Sequence, residues 1–210
     1  ISNIGEEDVD HAPQLHWENE ESPVWKAVAS DEFPLIEELH CLCRKIGPRT
    51  YGFNTGHIFG VDNTDPESTT RALLQGRRMA EQYHRLFREN LSAFEDSVLV
   101  STGAMMGVRE TRRIVGDYLL TEEDFLGRAS FPDEICRNAY AIDVHSSREE
   151  LIELPKKTIP ELKERRSRIM RRLEKGESFG VPYRCLTPAG LENVLVAGRC
   201  ISTDRPTNGS

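Results

Sequence analysis

The order of its predicted elements points to an α+β fold, a mixed or mostly antiparallel sheet with helices packed beside it. Three observations carry that expectation. Strand-like and helix-like stretches alternate irregularly and form no clean βαβ unit. One long amphipathic helix with a marked start stands between them. The 210 residues hold no internal repeat and no low-complexity linker, and suffice for one large domain or two small ones.

Composition narrows the function classes. Apolar residues make up 38% and charged residues 30% of the chain, which is globular but polar. No run approaches the length of a membrane-spanning helix, and no basic segment leads into an apolar one at the N-terminus. The net charge of −8 is unevenly spread: residues 1–40 carry eleven Asp and Glu against Lys26 alone, whereas residues 156–175 carry nine Lys and Arg against three Glu. The acidic remainder would repel a polyanion, so the basic stretch is expected to be a solvated helix rather than a nucleic-acid footprint. The five cysteines show neither metal-binding spacing nor a disulfide framework. Buried thiols in a reducing, cytoplasmic setting are expected instead.

In chain order, residues 34–45 have helical apolar spacing and stop at Gly47-Pro48. The stretch around 57–61 reads as a short strand between turns. The clearest helix spans about 66–91. Asp65 caps it, Pro66 suits its first position, and Ala72, Met79, Ala80, Tyr83, Phe87 and Leu91 form one stripe. His84 is expected to be exposed or to flank that stripe. Strands are expected at 97–101, 112–119 and 139–144, the last ending at His145. Thr121 opens a capping-box pattern for a short helix at 122–126. A basic helix is expected at about 161–175, with Gly176 as its stop, then an apolar strand at 194–197 and a polar tail.

The chemistry-bearing feature is a set of arginines beside glycines and strand ends: Arg109, Arg112 and Arg113 in GVRETRR, Arg184 in PYRCL and Arg199 in AGRC. A guanidinium is always charged, and its planar fork matches carboxylates, phosphates or an anionic ring. Structural salt bridges to the plentiful Asp and Glu are the other reading of each one.

The runs GVRETRRIVGDYLLTEEDFLG, FPD, AYAIDVH and VPYRCLTPAGLENVLVAGRCIS resemble a family of FAD-dependent oxidoreductases, including those described as xanthan-lyase-like. The earlier GFNTGHIFGVDNTDP and GRRMAEQYHRLF agree in order and spacing. The resemblance covers roughly residues 50–203, interrupted by a variable basic segment near 150–176.

It implies an enzyme moving hydride between a small organic substrate and FAD. Residues 1–50 would be an acidic part of the substrate domain and 51–190 its body. Residues 191–210 would supply the last strand of a Rossmann-like, FAD-binding sheet that is otherwise missing. Arg184, Gly198, Arg199 and Cys200 would contact the cofactor, and Arg112, Arg113 and Asn54 the substrate. His145, Tyr183 and Arg109 would be catalytic, although a strand-end histidine bonded only to backbone remains the alternative for His145. No GxGxxG fingerprint occurs in these residues. The chain alone is therefore expected to bind FAD poorly and to be inactive by itself. No metal, nucleic acid or membrane partner is expected. A non-catalytic binding domain using the basic helix at 161–175 is the competing function.

Overall fold

The structure, a computed structural model, describes residues 1–5, 15–109, 111–144 and 146–210, with the backbone alone at 168 and 169. His145, the leading acid–base candidate, lies outside the described residues. The helices are α1 (Pro23–Val28), α2 (Pro66–Asn90), α3 (Glu122–Leu126), α4 (Arg148–Ile152), α5 (Ile159–Ile169) and α6 (Arg205–Asn208). The strands are β1 (Cys41–Gly47), β2 (Thr50–Thr55), β3 (Glu134–Asn138), β4 (Ile142–Asp143), β5 (Met170–Arg171) and β6 (Phe179–Pro182). They pair as three antiparallel two-stranded sheets, β1–β2, β3–β6 and β4–β5. The class is α+β. The chain divides into two compact units, one of Ile1–Gly107 with Ser146–Ile159, the other of Val108–His145 with Pro160–Ser210. These divisions differ from boundaries near 50 and 190.

The first unit is organised by α2. Asp65 accepts from the N–H groups of Glu67 and Ser68, and Pro66 occupies the first turn, so the exposed donors at the helix start are partly satisfied. The buried face consists of Ala72, Met79, Tyr83, Leu86 and Phe87. His84 flanks that face and bonds through Nε2 to Ser97. Phe53 stacks on Phe87 with centroids 5.3 Å apart, and Phe94 approaches Phe87 at 5.4 Å. Such aromatic packing adds to simple area burial.

The helix expected over 34–45 is not formed. Its second half is β1, in which Cys41 and Cys43 are buried while Leu42 and Arg44 face out, a period of two. The apolar spacing that mimicked a helix came from Ile36 and Leu39, separate buried anchors in irregular chain. The strand expected at 57–61 lies earlier, as β2, because pairing across the turn at Pro48-Arg49 sets its register: Cys43 faces Phe53 and Cys41 faces Thr55. Arg49 makes that turn at φ 49°. Of the strand expected at 97–101, only a bridge between Val98 and Ser2 exists.

The second unit has a smaller core of Leu120, Phe125, Ile142, Phe179 and Cys185. The α3 helix forms as expected, with the Thr121 N–H donating to Asp124 Oδ2 at 2.9 Å. Residues 112–119 form no ladder; the segment makes scattered bonds, Gly116 bridging Pro188 and Leu120 just beyond it bridging Thr203. Gly116 is required there: an added Cβ would lie 2.7 Å from that of Ser202. Only β4 survives of the strand at 139–144. It captures Met170 and Arg171 as β5, which is why α5 stops before the expected 175. Residues 194–197 form no strand, and are held by the Val196 N–H to Leu186 O bond at 2.9 Å. The tail expected after it folds instead as α6, because Asp204 accepts from the Thr207 N–H at 2.8 Å.

Candidate functional site

Most of the candidate residues fall in the second unit, on the loops that join its short elements. Arg109 donates through Nη2 to the Asp143 carbonyl and stands 3.6 Å from the Asp143 carboxylate. Its own carbonyl accepts from Arg199 Nη1 at 3.3 Å. The main chain of the AGRC turn is fixed from both sides, with Cys200 O accepting from the Ile114 N–H at 2.9 Å and Arg199 O from Asn208 Nδ2 at 3.0 Å. Gly198 turns at φ 87°, and nothing lies within 4 Å of where a Cβ would project. The turn is thus open to close approach by a ligand. Cys200 Sγ donates to Ala197 O at 3.4 Å. Arg109, Asp143 and Arg199 form one connected group.

Arg184 forms a second group. Its Nε and Nη2 reach the two carboxylate oxygens of Asp133 at 3.0 and 3.3 Å, and its backbone N–H adds a third bond. Its guanidinium lies over the Tyr118 ring, 5.0 Å from the centroid. The bond from Arg184 holds the Asp133 carboxyl below the usual range. Tyr118 donates to Asp124, and burial first, then that hydrogen bond, pushes its phenol up to about 12. Tyr183 opens the adjoining helical turn and is partly exposed. Arg112 is exposed and Arg113 half-buried.

Asn54 belongs to the first unit. It sits on β2 and lines a cavity of about 680 Å³ between that strand, α2 and residues 99–107. The walls are mainly apolar, with Phe53, Ile58, Ala72, Met79, Met105 and Met106, and Asn54, Thr55, Tyr83 and Thr102 add polar atoms. A largely apolar cavity with a few polar groups suits a small organic molecule.

Sequence reasoning missed a carboxylate–imidazole pair beside this cavity. The Glu38 side chain is 3% exposed and bonded to Nδ1 of His57, with the His40 ring 5.2 Å away. Thr55 and Ile58, on either side of Gly56-His57, line the cavity. A carboxylate that fixes an imidazole's orientation equips it for acid–base work. The pairing spans nineteen residues, and only the burial of a charged Glu among apolar neighbours could have signalled it. Cys41 is buried nearby, and desolvation pushes its thiol up to about 12, so it is inert as a nucleophile.

Among the described residues, no group of three or more His, Cys, Asp or Glu is placed to hold a metal ion, and no helix is long and apolar enough to cross a membrane. No curated protein and no solved structure matches the chain. The sequence model of the FAD dependent oxidoreductase family matches residues 3–210, nearly the whole length. With that match, the flavin oxidoreductase resemblance carried by the arginine-rich runs is established at the level of the family: the chain belongs to the FAD dependent oxidoreductases.

Proposed function

We propose that these residues form the substrate-side portion of an enzyme that moves hydride between a small organic substrate and FAD. The observation that carries this reading, alongside the family match, is the connected group of Arg109, Asp143, Arg199 and the open turn at Gly198. Bound FAD would supply the two-electron chemistry. The chain's own residues would bind, orient and exchange protons.

The turn at 198–200 fits a cofactor that must approach the main chain, since Gly198 leaves the space open and Arg199 stands exposed beside it. Arg199 would oppose negative charge developing near the ring. Arg184 fits that task less well, because a ligand would have to share its fork with Asp133. Residues 194–197, which carry the exposed Val194 and Leu195, would enter the flavin-binding sheet as its last strand. Arg109, Arg112 and Arg113 would grip an anionic part of the substrate, and Asn54 would contact substrate in its cavity. Tyr183 and His145 would exchange the proton that accompanies C–H cleavage. The partner is a small molecule rather than nucleic acid or membrane, and the chain alone is inactive because it holds no GxGxxG loop.

The test is Arg109→Lys, assayed in the protein together with its flavin-binding residues. Lysine keeps the charge and loses the fork. Loss of one charge-assisted contact, roughly 1.5–3 kcal/mol, lowers turnover efficiency about ten- to a hundredfold. Melting should change little, since the side chain is 41% exposed and its ion pair weak. Unchanged turnover with a collapsed melting temperature would make Arg109 scaffold.

A further inference from the structure

Three of the five arginines on α2 are tied to partners of the first unit. Arg71 pairs with Asp65 and Glu67, Arg85 pairs with Glu32 and Glu89, and Arg88 donates to Glu95 O. Arg77 and Arg78 have no hydrogen bond or ion pair among the described residues. Of these two, Arg77 alone lines the cavity. The chain carries 35 Asp and Glu against 27 Lys and Arg, so acidic partners are plentiful, yet none among the described residues meets Arg77.

The cavity wall shows what that charge faces. Among the described residues that line it, Arg77 has the one charged side chain, and no Asp or Glu competes for it. Ile46, Val100 and Met105 line the cavity while standing exposed, so apolar surface there meets water until a guest covers it. Apolar walls lower the effective dielectric around a bound anion and strengthen its attraction to a nearby cation. The buried Glu38 acts elsewhere, on Tyr83. Tyr83 lies six residues further along α2 than Arg77, a rise of roughly 9 Å. Helical side chains lean toward the N-terminus, which takes the Arg77 side chain away from that end.

We propose that this cavity binds a carboxylate carried on an apolar body, with Arg77 as the residue that pairs with the carboxylate. The guanidinium fork matches the two carboxylate oxygens. Phe53 and Phe87 offer apolar surface to the body, and the unbranched Met79 and Met106 repack readily around it. The inference rests on the cavity being a seat of the substrate, and it narrows the anionic substrate to an apolar-bodied organic acid.

The test titrates naphthoate and the similarly shaped, uncharged naphthamide calorimetrically into the full chain, Arg77→Met and Arg78→Met. Each substitution removes one exposed positive charge, but only Arg77 lines the cavity. Comparing the ratio of the two affinities between proteins cancels the probes' different hydration. The preference for naphthoate should fall about tenfold in Arg77→Met, the worth of one charge-assisted contact at an open site. It should keep its wild-type value in Arg78→Met. Both variants should melt with the wild type, so a lost preference reports the missing guanidinium and not a lost fold. An unchanged preference in Arg77→Met, an equal fall in Arg78→Met, or binding of neither probe to the wild type would each overturn the proposal. Naphthamide bound as tightly as naphthoate would overturn the pairing with Arg77 and leave the cavity as the substrate's seat. No flavin enters this assay, so its failure would leave the Arg109 result standing, and the reverse also holds.

Discussion

The two units are built on different physics. Among the described residues, fifteen buried side chains form one cluster around α2 in the first, whereas the second has a cluster of five. The larger core can border a cavity and still bury the Glu38 carboxylate and the Tyr83 phenol, because apolar packing covers their cost. The smaller one relies on ties between arginines and carboxylates across its loops, such as Arg184–Asp133, Arg128–Glu177 and Arg109–Asp143. Those ties are half-exposed and individually weak, but they hold guanidinium groups at fixed positions on the surface. The first unit offers volume and the second offers charge.

The contrast is sharpest in the aromatic cluster. Phe87 is fully buried against Phe53, Tyr83 and Phe94. Phe87→Ala should cost about 3–5 kcal/mol. Both tryptophans, Trp17 and Trp25, lie in the first unit, so their fluorescence in a urea titration reports this loss directly. A cost below about 1 kcal/mol would mean that the cluster collapses around the gap and is not the close-packed core described.

Alkaline pH gives an intermediate effect, again centred on the first unit. Burial raises the Cys41 thiol from 9.0 to about 12 and raises the Tyr83 phenol as well. Above pH 9.0 the unfolded chain releases a proton from Cys41 that the folded chain keeps. The folded state then binds more protons, and stability falls as pH rises through the window up to about 12. Under reducing conditions the tryptophan-detected melting temperature should drop between neutrality and pH of about 10, and Cys41→Ala should flatten the dependence. A profile as steep in Cys41→Ala as in the wild type would remove the thiol from the account.

The smallest effect probes the second unit. Asp204 accepts from the Thr207 N–H of α6 and from the Glu122 N–H of α3, both at 2.8 Å. Asp204→Ala should cost about 1–2 kcal/mol, as loss of an N-cap does, and should lower amide-exchange protection around Glu122 and Thr207. Protection unchanged at both sites would show that neither helix start depends on this carboxylate.

What the sequence revealed follows the range of the interactions. The start of α2 and the whole of α3 were legible because Asp65-Pro66 and the TEED run act on their own neighbours. The hairpin was misread because its register depends on pairing across the chain, while Ile36 and Leu39 imitated a helical stripe. Strands β3 and β6 were not anticipated, since Arg137 meets Gly180 only in the folded sheet. The arginines stood out in the sequence, but their partners did not: Asp133 lies fifty-one residues from Arg184. The Glu38–His57 pair depends on burial, which no local motif encodes.

The division of labour proposed for this chain is tested most directly by titrating the purified protein with FAD and following flavin fluorescence and the visible spectrum. The chain contains no GxGxxG loop to bring a helix start to the pyrophosphate. It should purify colourless and bind FAD only weakly, with what binding there is reduced further in Arg199→Ala. A yellow protein holding one tightly bound FAD per chain would contradict the account, because these residues would then form the flavin site themselves.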